Sequence, residues 1–202
     1  MGLWVMLAGA LVSVGHAASP PVASHQVELK AAIDSSVRSF TYVRLKSGEG
    51  SLPFNTESGS VKVRHASGKL QIDLNGDGLL DPQDGPAVGK DETFTLPIAC
   101  GGKTIDVQLS VVLCRKNVVG LSSKTVLEGK VDHKVYRLVD QNVNGEYGER
   151  KLDSLLVDGG PPQPVTGVMD LSDGLAHVRF TKNGGVMAIE PYAGPTASML
   201  LT

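Results

Sequence analysis

The sequence is organised around one stretch, Asp73-Leu74-Asn75-Gly76-Asp77-Gly78-Leu79-Leu80-Asp81-Pro82-Gln83-Asp84. Oxygen-bearing side chains stand at its positions 1, 3, 5, 9 and 12, and a glycine stands at position 6. The four residues before it, Lys69 to Ile72, alternate between polar and apolar, which is typical of a β-strand. Pro82, Gly85 and Pro86 prevent a full helix from following. We therefore predict a wrapped acidic loop at the end of a strand.

This spacing is the register of a 12-residue calcium loop, because Ca²⁺ takes six to eight oxygen ligands and position 6 needs a sharp turn. Asp84 is one methylene shorter than the usual Glu, which favours binding through a single oxygen. The alternative is an acidic turn without metal, since Asn-Gly and Asp-Gly are common hairpin turns. The predicted ligands are the side chains of Asp73, Asn75, Asp77, Asp81 and Asp84, and the backbone carbonyl of Leu79.

A second, less regular loop begins 67 residues later, at Asp140. Gly145 takes position 6, but position 12 is Lys151, which cannot bind a cation while it is charged. Either Glu149 or Asp153 must then complete the shell. The alternative is a polar loop stabilised by Asx turns. The predicted ligands within residues 140–153 are Asp140, Asn142, Asn144, Glu146, Glu149 and Asp153.

The first loop resembles the loops of EF-hands, dockerins and thrombospondin type 3 repeats, although its flanks do not match a helix-loop-helix. More broadly, the chain is similar to uncharacterised secreted bacterial β domains. In those domains a strand enters an Asp-x-Asn-x-Asn-Gly loop and leaves it into an Asp-x-Leu-Leu-x-Asp strand, as residues 136–158 do here. The resemblance implies a β fold with calcium loops, and it implies no activity.

Alternating apolar residues and frequent turn pairs predict a mainly β fold, with antiparallel hairpins in a sandwich or open barrel and at most one short helix. The recurrence of the loop suggests two related β units, residues 25–120 and 121–202. We expect Ser47 to Ser60 to form a loop and Asn117 to Ser123 a connector. Charged residues make up 20% of the chain and the net charge is −2, so no nucleic-acid partner is expected.

Residues 1–18 are typical of a secretory signal, and residues 19–24 form a Pro-containing linker. The predicted location is therefore secreted or periplasmic, with no membrane span after signal removal. No Lys or Arg precedes the apolar run, which departs from the signal pattern. An N-terminal membrane anchor is the alternative, although the run is short for a span.

The two cysteines, Cys100 and Cys114, would meet an oxidising environment, and their even number suggests a disulfide. The alternation from Ile105 to Leu113 opposes it, because one extended strand would separate their Cα atoms by roughly 46 Å. A disulfide needs about 4.4–6.8 Å. Both states therefore remain open from the sequence.

No catalytic motif is recognisable. Gly102-Lys103-Thr104 lacks the first glycine of a phosphate loop, and the histidines have no metal-site spacing. One hypothesis is a secreted, Ca²⁺-stabilised β module with a structural or extracellular binding role, whose partner is a protein or a polysaccharide. The alternative is a secreted hydrolase with an unrecognised active site. Such an enzyme would have a deep pocket, away from both loops, that holds a carboxylate or histidine with a shifted pKa.

Overall fold

The computed structural model describes residues 24–56 and 59–194, so the predicted signal segment and nearly all of the predicted linker lie outside the described residues. Strands account for 57% of the structure and helical turns for 3%, which confirms the mainly β prediction. The helical turns are two short 3₁₀ segments, Pro82–Asp84 and Lys182–Gly184. The strands are β1 (His25–Glu28), β2 (Lys30–Ile33), β3 (Ser39–Arg44), β4 (Glu49–Thr56), β5 (Gly59–Ala66), β6 (Lys69–Ile72), β7 (Thr93–Cys100), β8 (Lys103–Arg115), β9 (Val118–Ser123), β10 (Thr125–Val131), β11 (Lys134–Val139), β12 (Ser154–Val157), β13 (Gln163–Pro164), β14 (Val168–Asp170), β15 (Leu175–Phe180) and β16 (Val186–Pro191).

The strands form because apolar residues recur at every second position, which places them on one face of a pleated strand. In β7, Phe94, Leu96 and Ile98 are buried while the residues between them are more exposed. The predicted long strand around Leu109 is β8, which spans 13 residues. Cys100 and Cys114 lie at opposite ends of this strand's hairpin, and both are free thiols. The geometric argument against a disulfide is thus confirmed.

Four antiparallel sheets share one continuous hydrophobic core. Their strand orders are β1-β16-β15-β14, β13-β12-β11-β10-β2, β3-β9-β8-β7 and β4-β5-β6. The third and fourth sheets pack together through β4 with β7 and β3, and the first and second through β1 with β10. This arrangement agrees with a β-sandwich architecture, the first of the two alternatives predicted from the sequence.

The sheets repeat one topology twice, with one copy nested inside the other. The inner unit, residues 39–123, has sheets β3-β9-β8-β7 and β4-β5-β6. The outer unit, residues 25–33 and 125–191, has β1-β16-β15-β14 and a sheet in which β2, β10 and β11 correspond to β4, β5 and β6. Strands β12 and β13 extend that outer sheet. The predicted division at residue 120 stays a prediction; in strand pairing, β1 and β2 lie with strands of residues 125–191.

The two units meet tightly where the β7–β8 turn faces the β15–β16 turn. A Cβ added at Gly185 would lie only 2.5 Å from the Cα of Gly101. The Asn183 side-chain amide donates a hydrogen bond to the carbonyl of Ala99, at 2.7 Å. The Cys100 thiol donates to the carbonyl of Asn183, also at 2.7 Å. This close approach requires two glycines, because any side chain would force the backbones apart.

Two segments predicted to be irregular are strands. Residues 49–56, within the predicted loop Ser47–Ser60, form β4, in which Leu52 and Phe54 are buried. Residues 118–123, the predicted connector, form β9 at the centre of its sheet. Gly50, Ser51 and Pro53 lower the local β-propensity in the first segment and Gly120 lowers it in the second, but pairing on neighbouring strands and burial override that weak preference.

None of the helical segments within residues 24–56 and 59–194 has the length and apolar composition needed to cross a bilayer.

We predict that Gly185→Ala lowers the free energy of unfolding by about 3 kcal/mol, because its new Cβ would meet backbone that no side-chain rotation can move away. Gly185 has an ordinary φ of −63°, so backbone strain would not contribute. Urea denaturation measures the change. The matched control is Gly102→Ala, where φ is +80° and no atom lies within 4 Å of the added Cβ. Its cost should stay at about 1–2 kcal/mol, from the left-handed backbone alone. Equal losses of stability in the two variants would contradict a close backbone contact between Gly185 and Gly101.

Candidate metal loops

The first loop starts from a buried carboxylate at the end of β6. Asp73 is 2% exposed. Its Oδ2 accepts a hydrogen bond from the backbone N–H of Gly78, at 3.0 Å, which closes the loop upon its first residue. Its Oδ1 is buried and has no hydrogen-bond partner. A buried carboxylate oxygen without a donor is costly, so this atom is the least satisfied point of the loop.

The next two predicted ligands form successive Asx turns. Asn75 Oδ1 accepts from the N–H of Asp77 at 3.0 Å, and Asp77 Oδ1 accepts from the N–H of Leu79 at 2.7 Å. The Asn75 amide also donates to Asp77 Oδ2, at 3.1 Å. The Leu79 side chain is 60% exposed. Nearby, the Lys62 ammonium donates to the Gly78 carbonyl at 2.7 Å, so a cationic side chain already lies against the loop.

Asp84 ties the end of the loop to its beginning. Its Oδ1 accepts from the N–H groups of Leu74 and Asn75 at 3.0 and 3.4 Å, and its Oδ2 accepts from the N–H of Asp81 at 3.0 Å. Asp81 instead caps the short helical turn that follows, through the N–H of Gln83 at 2.7 Å. The structure therefore brings Asp84 back to the start of the loop and turns the side chain of Asp81 toward its own 3₁₀ turn.

The second loop, which follows β11, repeats this bonding pattern. Asp140 Oδ2 accepts from the N–H of Gly145 at 2.7 Å, as Asp73 does from Gly78. Asn144 Oδ1 accepts from the N–H of Glu146 at 2.8 Å, as Asp77 does from Leu79. These matches support the internal repeat inferred from spacing.

Asp153 takes the part that Asp84 plays in the first loop, although it lies two residues further along. Its Oδ1 accepts from the N–H of Gln141 at 3.2 Å. Its Oδ2 accepts from the N–H groups of Gly148 and Glu149, at 2.7 and 2.9 Å. The sequence left Glu149 and Asp153 as alternatives. In the structure they have separate roles, because Asp153 holds the backbone and Glu149 faces the asparagines.

Glu149 is hydrogen-bonded to two of the remaining predicted ligands, Asn142 and Asn144. Its Oε2 accepts from the side-chain amides of Asn142 and Asn144, at 3.0 and 2.8 Å. Asn142 Oδ1 is buried and has no hydrogen-bond partner. Glu146 is exposed and joins the pattern through its backbone N–H. The centre of the loop is therefore lined by amide N–H groups that face one carboxylate.

The second loop is buried because it lies against the inner unit. A Cβ added at Gly145 would meet Ile98 at 2.8 Å and Phe54 at 3.1 Å. Asp140 and Asp153 are 4% and 1% exposed. Burial raises the pKa of Asp140 to about 7 and that of Asp153 to about 6. Neighbouring carboxylates add to both shifts, because Asp153 adds to the rise in the pKa of Asp140 and Glu149 adds to the rise in the pKa of Asp153.

In this conformation the acids do not converge on one centre. Within the described ranges, no three His, Cys, Asp or Glu side chains are grouped so that they could hold a metal ion. Both loops instead mix carboxylates with asparagine oxygens and main-chain groups, and backbone N–H groups hold most carboxylate oxygens. The predicted ligand sets therefore remain predictions, supported by loop geometry and by two unpartnered oxygens.

Sequence spacing did not reveal the clefts beside the loops. One, of about 240 Å³, borders Asp73 and Asn75. Another, of about 270 Å³, borders Gly148 and is flanked by Arg150 and Arg179. The two carboxylates with raised pKa, Asp140 and Asp153, line neither cleft.

Comparisons with protein-family models, with curated proteins and with solved structures found no match for this chain.

We predict that Asp153→Asn lowers the free energy of unfolding by about 2–3 kcal/mol, because an amide keeps only one acceptor oxygen for three N–H groups. Urea denaturation in EDTA measures this loss without any contribution from bound metal. The matched control is Asp170→Asn, an exposed carboxylate that accepts a single N–H from Ser172 at 3.0 Å. It should cost about 0.5 kcal/mol or less. A loss at Asp153 no larger than the control would show that this carboxylate does not hold the loop.

Proposed function

We propose that this protein is a secreted or periplasmic β module whose two loops bind Ca²⁺ and whose role is structural or in extracellular binding. The observation that carries the proposal is Asp73 Oδ1. This oxygen belongs to the first residue of the loop, is buried, and has no hydrogen-bond donor. Buried charges in proteins are normally paired or coordinate a metal, so an unpaired carboxylate oxygen at this position favours a cation.

The corresponding loop of the outer unit supports the same reading. Asn142 stands where Asn75 stands in the first loop, and its Oδ1 is also buried without a partner. A third unpartnered oxygen, Asp34 Oδ2, differs from these because the Arg137 guanidinium lies 3.3 Å away. Both loop oxygens lack such a cationic neighbour among the ion pairs of the described residues.

The residues fit a hard cation in their chemistry. Asp73, Asn75, Asp77 and Asp84 offer side-chain oxygens in the first loop, with the carbonyl of Leu79. In the second loop, Asp140, Asn142, Asn144 and Glu149 offer side-chain oxygens. Binding there would need the asparagine amides to present oxygen instead of N–H toward Glu149. A half-turn of each amide exchanges the two groups at little steric cost, because they are similar in size.

A bound cation would oppose the electrostatic cost of the buried acids. It would favour the charged forms of Asp140 and Asp153, whose pKa values burial raises. It would also join a strand end to the loop that follows, and in the second loop it would stabilise the surface that packs on the inner unit. At a concentration tenfold above its dissociation constant, one site adds about 1.4 kcal/mol to the free energy of unfolding.

The secretory prediction supports the choice of cation. Extracellular modules bind Ca²⁺ with dissociation constants of about 10⁻⁴ to 10⁻³ M, which suits a loop closed by Asp instead of Glu. The apolar run within residues 1–18 carries this part of the proposal.

We predict that EDTA lowers the melting temperature of the full chain and that millimolar Ca²⁺ restores it. Calorimetric titration should detect two sites. Asp77→Ala and Asn144→Ala should each remove one of them, because each deletes a candidate ligand. Identical melting curves in EDTA and in Ca²⁺ would contradict the proposal.

The control for those variants is Asp170→Ala. Like Asp77 and Asn144, Asp170 accepts one N–H in an Asx turn, but it lies in neither loop. All three variants should lose about 0.5–1.5 kcal/mol in EDTA from that hydrogen bond. Asp77→Ala and Asn144→Ala should each lose somewhat more, because they also remove a side-chain hydrogen bond to Asn75 and to Glu149 respectively. The control alone should keep the full gain in stability on addition of Ca²⁺.

A further inference from the structure

The outer face of β3 carries alternating basic and aromatic residues. Arg38 precedes the strand, and Phe40, Tyr42 and Arg44 follow at every second position, all of them exposed. The alternating residues, Ser39, Thr41 and Val43, are buried or half-buried. We call Arg38, Phe40, Tyr42 and Arg44 the β3 stripe. Because β3 is an edge strand of its sheet, one side of the stripe is open.

The two aromatic side chains of the stripe are exposed to solvent. Phe40 is 46% exposed and Tyr42 is 66% exposed, so burial in the core does not explain either residue. Tyr42 pairs with Gly120 on the neighbouring strand, and a Cβ added at Gly120 would lie 2.9 Å from Tyr42 Cε1. The ring therefore lies across the backbone of β9, in space that a side chain at Gly120 would occupy. A glycine inside a strand commonly marks such a close approach.

The arginines of the stripe are available to an anion. Three arginines outside the stripe are paired with acids: Arg64 with Glu49 and Arg137 with Glu128, each at 2.7 Å, and Arg179 with Glu190 at 3.6 Å. Neither the Arg38 nor the Arg44 guanidinium makes an ion pair or hydrogen bond with any described residue. Arg115 extends the positive charge, because it and Arg44 both pair across Val118, and it too lacks an ion pair in the described part of the chain.

We propose that the β3 stripe binds an acidic polysaccharide, a chain of uronate-bearing sugars. Its carboxylates would meet the guanidinium groups at the ends of the stripe, with the bidentate geometry that arginine favours. The apolar C–H faces of its sugar rings would stack on Phe40 and Tyr42. Residues two apart on a strand lie about 6.6 Å from each other, so Arg38 and Arg44 are about 20 Å apart. This spacing suits an extended polymer of several sugar units.

Nucleic acid also combines negative charge with stacking rings, but the charge of the chain favours the polysaccharide. Nucleic-acid-binding domains carry a strongly basic surface, because affinity depends on neutralising many phosphates. Here the net charge is −2, with 19 basic against 21 acidic residues. A chain of this charge suits a polymer with a lower density of charge than nucleic acid. The proposal does not depend on metal binding at either loop.

The test is fluorescence polarisation of a fluorescein-labelled hyaluronan oligosaccharide with the full chain, in a buffer that contains Ca²⁺. Hyaluronan carries one carboxylate per disaccharide. We expect saturable binding that weakens with salt, since ionic contacts are screened. Phe40→Ala/Tyr42→Ala and Arg38→Gln/Arg44→Gln should each weaken binding about tenfold or more, as loss of aromatic and arginine anchors does. The arginine variant should also lose most of the salt dependence.

One control is Leu175→Ala, at an exposed apolar residue of the outer unit. The other is Lys90→Gln/Lys130→Gln, which also removes two positive charges but at exposed positions outside the stripe. Both should bind as the unchanged protein does. Thermal melting confirms that each variant is folded. If the aromatic variant is unfolded, the arginine variant alone decides the test. Absence of binding, or equal binding by the arginine variant and its control, would overturn the proposal. Tighter binding of single-stranded DNA, or equal binding of a neutral chitin oligosaccharide, would overturn the choice of an acidic polysaccharide.

Discussion

The structure depends on how a carboxylate at the end of a strand is neutralised inside the protein. Asp73 and Asp140 each end a β-hairpin, are almost fully buried, and accept N–H groups from the loop that they begin. Asp84 and Asp153 return from the far end of each loop to accept further N–H groups. These hydrogen bonds satisfy many backbone donors that would otherwise be buried without partners. They leave one buried oxygen in each loop without a donor, Asp73 Oδ1 and Asn142 Oδ1.

The same loop has two different environments because the chain nests one unit within another. The first loop lies at the surface, where Asn75 and Asp77 are exposed. The second loop lies against Ile98 and Phe54 of the inner unit, and Gly145 permits that contact. Burial raises the pKa values of Asp140 and Asp153 in the second loop. A cation in the second loop would influence the junction between units, whereas a cation in the first would act on one hairpin.

These features separate the parts of the molecule that hold it together from the part that is open to a partner. The loops and the glycine contact at Gly101 and Gly185 lie where strands end and units meet. The β3 stripe lies on an outward sheet face, and its aromatic and basic side chains contribute little to the core. The stripe places two exposed aromatic side chains beside arginines that make no ion pair within the described residues, and a function in binding would account for this combination.

The sequence by itself determined the strand class, most hairpins and the two loops, because these depend on local rules. Alternation of period two reports a half-buried strand, and the spacing from Asp73 to Asp84 reports a wrapped turn. It missed β4, which contains Gly, Ser and Pro, and β9, which contains Gly and Ser, because both strands form through pairing and burial. Only the tertiary structure decided that β1 and β2 pair with strands more than 90 residues away, that Asp153 and not Glu149 holds the second loop, and that Arg38 and Arg44 are unpaired. Those outcomes depend on which distant groups come together, and non-local contacts leave no periodic signal in the chain.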